Sequence, residues 1–276
     1  MRVTILGSGG AGGVPLIGGD WGLCDPREPK NRRRRVSLLV EDGPAANPTR
    51  LMVDTSPDLR DQVLDAGVDR LDAVIYTHHH ADHMHGLDDL RQFNRRQHAA
   101  IPAYGMAKTL DVALKRFGYV FEPPPVVDGK TIFFKPCLDA HEVSAGRPFE
   151  VAGPGGPIKV QPFEQDHGFM PTLGLRFGDV AYSTDVVDMP EAGFETLAGV
   201  GLWIVDCFGR KPHPTHVHLP KVLKWIERVQ PDCAILTHMG TDMDYGALLR
   251  ELPEGVVPAY DGMTIEVAPD SLKLVR

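Results

Sequence analysis

The stretch that most constrains this chain is a short apolar run, Ala73-Val74-Ile75-Tyr76-Thr77, that ends directly in His78-His79-His80-Ala81-Asp82-His83. A run of that length reads as a buried strand, so the polar side chains leave its end, where a sheet can aim them. Strand alternation puts His78 and His80 on one face and His79 on the other. Two neutral imidazoles so spaced suit one divalent ion such as zinc. Asp82 and His83 lie past the turn and point elsewhere, toward a second ion. A lone histidine in a polar loop would need no such account; H-x-H-x-D-H after an apolar strand is far more specific.

The segment completes neither ligand shell, so more histidines and a carboxylate are required, each at a strand end. His167 follows an extended segment over 159–163, Asp185 follows a strand over 180–183, and His238 follows a strand over 233–237. His98, at a helix end, and His141, in a loop, read as structural residues.

The rest of the chain reads as strands mixed with helices. Strands are expected at 3–6, at 36–40 paired antiparallel with 51–54, at 132–134, at 158–163 and at 202–206, with a hairpin over 175–183 around Gly178-Asp179. Helices are expected over 57–66, 87–97, 108–117 and 217–229. That mixture implies an α+β fold in which helices cover sheets. The glycines of Gly7-Ser8-Gly9-Gly10-Ala11-Gly12-Gly13 run into Val14-Pro15 with no βαβ unit after them, which argues against a dinucleotide site. The Pro- and Gly-containing stretches near 44–48, 123–125 and 153–157 are of loop length, so the 276 residues form one domain, 1–276.

A formal net charge of -8 disfavours broad capture of nucleic acid. Arg32-Arg33-Arg34-Arg35 is the local exception, either a solvated loop or a phosphate contact, since guanidinium forks fit phosphate. Cys24, Cys137, Cys207 and Cys233 show no C-x-x-C spacing, the start reads as a strand and not a secretory leader, and no apolar stretch reaches the ~18 residues of a membrane span. A cytoplasmic chain with free thiols and no membrane contact is the expectation.

Thr77-His78-His79-His80-Ala81-Asp82-His83, with His167, Ser183-Thr184-Asp185 and Leu236-Thr237-His238 in that order, resembles the metallo-β-lactamase superfamily over nearly the whole chain. The resemblance implies an αββα sandwich with its site along one edge of the paired sheets. It implies one ion on His78, His80 and His167, a second on Asp82, His83 and His238, and Asp185 bridging them, the ions being Zn2+ or Mn2+. A bridged pair of ions suits a phosphodiester, whose attacking and leaving oxygens it can clamp.

Gly7-Ser8-Gly9, Gly13-Val14-Pro15, the arginine run before Ser37, His213-Pro214-Thr215-His216, Leu236-Thr237-His238-Met239 and Ala259-Tyr260-Asp261-Gly262 together look like the PhnP-type phosphodiesterases. Those enzymes open 5-phosphoribosyl 1,2-cyclic phosphate, which makes a small cyclic or nucleotide-like phosphodiester the implied partner. A hydroxide held between the ions would attack phosphorus, Asp82 would accept its proton, and His216 would be the general acid. His213, His216, His218 and Arg35 would contact substrate. Relatives often carry a structural zinc on C-x-C-x-x-C plus a later histidine. Here Gly19, Trp21 and Thr241 stand at three of those positions and only Cys24 remains, so no structural zinc is expected and Trp21 packing would hold the loop instead. The alternatives are a tRNA 3′-processing ribonuclease, which would need a basic surface and a gripping arm, a thioester or lactone hydrolase, and a non-catalytic nucleotide-binding module. A homodimer is compatible with the sequence but not specified by it.

Overall fold

Alternation along the strands decides the architecture. In Ser37–Asp42, Leu38 and Val40 face one apolar cluster and Leu39 another; in Thr49–Val53, Leu51 and Val53 oppose Met52. Strands apolar on both faces must be covered on both. The computed structural model, which describes residues 1–268 and 271–275, does this with two stacked sheets and outer helices.

The first sheet has eight strands in the spatial order Ser271–Leu274, Thr264–Ala268, Arg2–Gly7, Ser37–Asp42, Thr49–Val53, Ala73–Ile75, Ile101–Gly105 and Leu138–Glu142. It is antiparallel as far as Thr49–Val53 and parallel beyond. The second has seven, in the order Val256–Pro258, Cys233–Thr237, Leu202–Asp206, Val180–Ser183, Pro171–Phe177, Ile158–Asp166 and Phe149–Val151, the first four parallel. Val3, Ile5, Leu38, Leu51 and Ile75 of one sheet meet Leu173, Leu175, Tyr182 and Trp203 of the other in the central core. Leu59–Asp65, Arg91–Gln97 and Ala107–Phe121 cover Met52, Val74 and Tyr76 on the outside of the first sheet. Leu219–Val229 buries Leu219, Val222 and Trp225 against the second. The expected αββα sandwich is therefore observed.

Three local expectations are corrected. The segment 132–134 is not a strand: a two-residue hairpin, Val126–Val127 with Lys130–Thr131, precedes it, and Phe133 packs inward from irregular backbone while Phe134 is exposed. The helix over 87–97 is broken into a 3-10 turn, Leu87–Leu90, and the helix Arg91–Gln97. His141 sits in the strand Leu138–Glu142, not a loop, with its ring stacked on Tyr104 at 5.0 Å. That edge strand is exposed after Leu138, which hides its alternation in the sequence. Among the described residues no helix is long and apolar enough to cross a membrane.

Candidate metal centre

The strands Ala73–Ile75, Val180–Ser183, Leu202–Asp206 and Cys233–Thr237 supply most of the site residues from their C-terminal ends, the position open sheets give to ligands, and His167 follows the antiparallel strand Ile158–Asp166. The chain turns sharply there. Asp54 (φ 62°), Asp185 (φ 51°) and His238 (φ 56°) all adopt the left-handed region without being glycine, a conformation costing on the order of 1–3 kcal/mol that persists only where surroundings enforce it.

These turns gather two groups of side chains, His78, His80, His167 and Asp185, and Asp82, His83, Asp185 and His238, each with donor atoms within 4.8 Å of one another, and a third group of the same kind, Asp206, His216 and His238, adjoins them. Asp185 belongs to both. Its Oδ2 lies 3.7 Å from His78 Nε2 and 3.5 Å from His167 Nε2, while its Oδ1 lies 3.0 Å from His83 Nε2 and 3.3 Å from His238 Nε2. Asp82 Oδ2 is 3.3 Å from His83 Nε2 and 3.7 Å from His238 Nε2.

The far sides of the rings are held by partners that fix which nitrogen faces inward. His83 Nδ1 donates to Asp54 Oδ2 (2.7 Å) and His167 Nδ1 to the Thr215 carbonyl (2.7 Å). Thr77 donates its hydroxyl to Asp54 Oδ2 (2.8 Å) and so accepts from His78 Nδ1 (3.0 Å). The inward nitrogens of His78 and His83 are thereby left with lone pairs, and Nε2 of both, like that of His238, is buried without a hydrogen-bond partner. Buried polar atoms rarely stay unpaired, and imidazoles oriented from behind by carboxylate or carbonyl are how proteins present nitrogen to a metal. The donor set thus fits divalent ions.

The buried carboxylates make this place favour positive charge. Burial would raise the Asp185 carboxyl, but the imidazoles of His238 and His83 outweigh it and hold the group well below the usual carboxylate range. Burial would likewise lower His238, but Asp185 and Asp82 lift it to about 9. For His78, desolvation joined by the charge of His83 pushes the ring well down.

His216 stands beside this cluster, its Nε2 4.0 Å from Asp185 Oδ2 and its Nδ1 donating to Asp206 Oδ2 at 2.8 Å. Its ring contacts both Phe208 (4.9 Å) and His238 (4.7 Å), which also neighbour each other at 6.1 Å between centroids. His213 is adjacent, 5.2 Å from His216 between ring centroids. His218 begins the helix Leu219–Val229, where the nearby charges are Lys221 and Lys224. Arg35 is not free to face a ligand: its Nε and Nη2 both bond Asp58, at 2.6 Å each. His79 falls outside both groups; its carbonyl accepts from Arg116.

Asp54, Asp206 and Phe208 were not singled out from the sequence. Asp206 carries the signal that marks Asp185, an acid at the end of a buried apolar strand, and could have been found by it. Behind the loop 16–28 the structure places Arg33, which is 2% exposed. Its guanidinium donates to Met243 O (2.6 Å), Gly240 O (3.4 Å), Asn31 Oδ1 (3.4 Å) and Cys24 Sγ (3.8 Å). Trp21 contributes only a face to Arg32, 5.3 Å from its ring centre.

A family model described as the beta-lactamase superfamily domain matches residues 49–239, and the chain belongs to the metallo-β-lactamase superfamily. Its fold and its His/Asp cluster make it a hydrolase dependent on divalent metal ions. Within the superfamily it is PhnP-like: the crystal structure of a new diphosphatase from the PhnP family is 34% identical, with a TM-score of 0.84 over 97% of this chain and 98% of that one. An octanoyltransferase of Porphyromonas gingivalis is 33% identical over 265 residues, 95% of this chain but 51% of that protein. This chain therefore spans about half the length of that curated relative. Human tRNase Z, short form, shares the fold at 16% identity, with a TM-score of 0.67 over 97% of this chain and all of that one.

Proposed function

We propose that this protein is a dinuclear phosphodiesterase acting on a small cyclic or nucleotide-like diester, with 5-phosphoribosyl 1,2-cyclic phosphate as the first candidate. The observation that carries the reading is the division of Asp185 between two groups of inward-facing donors, with His216 alongside. His78, His80 and His167 would hold one ion, Asp82, His83 and His238 the other, and Asp185 would bridge them. When bound, the ions supply charge for the phosphoryl oxygens and bring water within reach of deprotonation at neutral pH.

The protein's own groups account for the remaining needs. Asp82, whose Oδ2 lies 3.3 Å from His83 Nε2 and 3.7 Å from His238 Nε2, would accept the proton of the attacking water. An alkoxide leaving group needs a proton, and His216 can give one from Nε2 because Asp206 takes the hydrogen of Nδ1 and fixes the ring. Phe208 and His238 pack against that ring. His213, 5.2 Å from His216 between ring centroids, would contact substrate beside it; His218 and Arg35 are given no role.

A second reading, hydrolysis of a diphosphate, is favoured by the name of the PhnP-family relative. The two readings differ at the leaving group, since a phosphate leaves without help and an alkoxide does not. Acyl transfer is less well served: the cysteine beside Asp206, Cys207, is fully buried, and burial and that carboxylate push its thiol well up, away from a nucleophilic thiolate. Metal-loaded protein should open 5-phosphoribosyl 1,2-cyclic phosphate, with ribose 1,5-bisphosphate followed by phosphorus NMR. Hydrolysis of ADP but of no diester would replace the proposal with the second reading.

A further inference from the structure

The strands Ile158–Asp166 and Pro171–Phe177 form a hairpin whose turn, 167–170, carries His167 into the metal centre. The backbone of that turn is tied down. Gly168 N donates to Asp166 Oδ1 (2.7 Å), His167 N to Met170 O (2.9 Å) and Phe169 N to His167 O (3.0 Å). Against it lies the loop 213–216. His167 Nδ1 donates to the Thr215 carbonyl, and Gly168, at φ 80°, approaches so closely that a Cβ there would lie 2.5 Å from the Pro214 carbonyl oxygen and 3.2 Å from Thr215 Cγ2. Turn and loop therefore form one rim of the centre, with the rings of His167 and His216 4.8 Å apart between centroids.

At the tip of the turn stands Phe169, 88% exposed; among the described residues no aromatic side chain is more so. A phenyl so exposed adds nothing to the core. The turn does not require it either, because the positive φ falls on Gly168 and the tether at 169 uses only backbone. Along the chain its Cα is at most ~7 Å from that of the metal-facing His167. Single exposed apolar residues are ordinary on protein surfaces; this one is set apart by sharing a rim with the proton donor. An aromatic face on a fixed backbone is a stacking platform, since little freedom is lost when a planar ring settles on it.

We infer that Phe169 stacks on a planar base carried by the leaving group of the substrate, so that within the proposed class this rim selects diesters of nucleosides. His216 fixes the side: the group that receives its proton is the group that leaves, and the rim bearing Phe169 also bears His216. The inference rests on the phosphodiesterase reading above and adds specificity to it. Phe169 touches no reacting atom, and 5-phosphoribosyl 1,2-cyclic phosphate, which has no base, would make no use of it.

The test compares the metal-loaded parent, Phe169→Ala and Phe169→Trp on 2′,3′-cyclic AMP and on methyl riboside 2,3-cyclic phosphate, the same diester without its base. The parent should prefer cyclic AMP in kcat/KM. Phe169→Ala should cut that preference about 5- to 150-fold, the usual worth of one base on an aromatic ring, mainly through KM; Phe169→Trp, which enlarges the platform, should keep or raise it. No preference in the parent, or a preference that survives Phe169→Ala, would overturn the inference. So would a loss falling equally on both diesters, which would mark the ring as structural. Calorimetric titration with AMP and with ribose 5-phosphate separates failure of the underlying reading, because it needs no turnover. Hydrolysis of neither diester, with AMP losing its margin over ribose 5-phosphate in Phe169→Ala, would reject the phosphodiesterase and keep the base platform. AMP binding indifferent to Phe169→Ala would reject the platform whatever the reaction.

Discussion

The role of each side chain at the centre depends on which of its atoms faces inward. Asp185 gives one oxygen to each histidine group, so Asp185→Asn, which replaces one anionic oxygen by an amide, should loosen metal and abolish turnover; elemental analysis and an aryl phosphodiester assay check both. Asp54→Asn acts one step back, on His83, and by the usual worth of such a partner should weaken metal binding about 10- to 100-fold, read by competition with a chelating dye. His216→Ala should instead retain its metal and lose about 10²- to 10⁴-fold in rate on an alkyl diester, with a smaller loss on an aryl diester whose leaving group needs no proton. Full activity of that variant on the alkyl diester would remove His216 from the mechanism. The metal ligands were legible because the apolar strands 73–77, 180–183 and 233–237 and the extended segment 159–163 lead into them, whereas His216 was reached through the PhnP-type resemblance. The partners behind them were not, since Asp54 is an ordinary acid after a strand, and only the fold shows that it lies 2.7 Å from His83.

At the scale of elements, long alternating strands and the amphipathic helix Leu219–Val229 could be read directly, whereas short or exposed pieces could not. Leu138–Glu142 and Ile101–Gly105 are strands because a neighbouring strand accepts them, and Ile132–Phe134, apolar as it is, has no such neighbour. The four consecutive arginines illustrate the same limit. Their shared charge says little, and their contacts make Arg32 a neighbour of Trp21, Arg33 a buried tie, and Arg34 and Arg35 partners of Asp65 and Asp58. Arg33→Met should destabilise the protein by about 2–4 kcal/mol, because the carbonyls of Met243 and Gly240 lose their donor inside the protein; urea unfolding of the metal-loaded protein measures it. The Asp261 carboxyl, in the loop before Thr264–Ala268, is raised to about 6, chiefly by burial. The folded state therefore binds its proton more tightly than the unfolded state, and this stabilisation is present at low pH and is lost as pH rises through about 6. Between pH 5 and pH 7 the parent should lose about 1 kcal/mol relative to Asp261→Asn, and parallel slopes for the two would contradict the assignment.

For the molecule as a whole, the donors of the centre come from both layers, His78 to His83 from the first sheet and His167, Asp185 and His238 from the second. Ions bound there would tie the sandwich together along one edge. Each tenfold excess of ion over its dissociation constant then adds about 1.4 kcal/mol to stability, so removing metal with EDTA should lower the melting temperature by several degrees, reversibly on adding it back. A melting temperature indifferent to EDTA would mean that the edge is held without them. Arg33 gives this experiment an unusual clarity. The loop it ties down is fastened by a charge carried on the chain itself, which no chelator can extract and no oxidant can convert to a disulfide. Elemental analysis of the metal-loaded protein should therefore find about two ions per polypeptide, all removed by chelation without loosening the segment around residue 24; a third, tightly held ion would mean that this loop is fastened by metal after all.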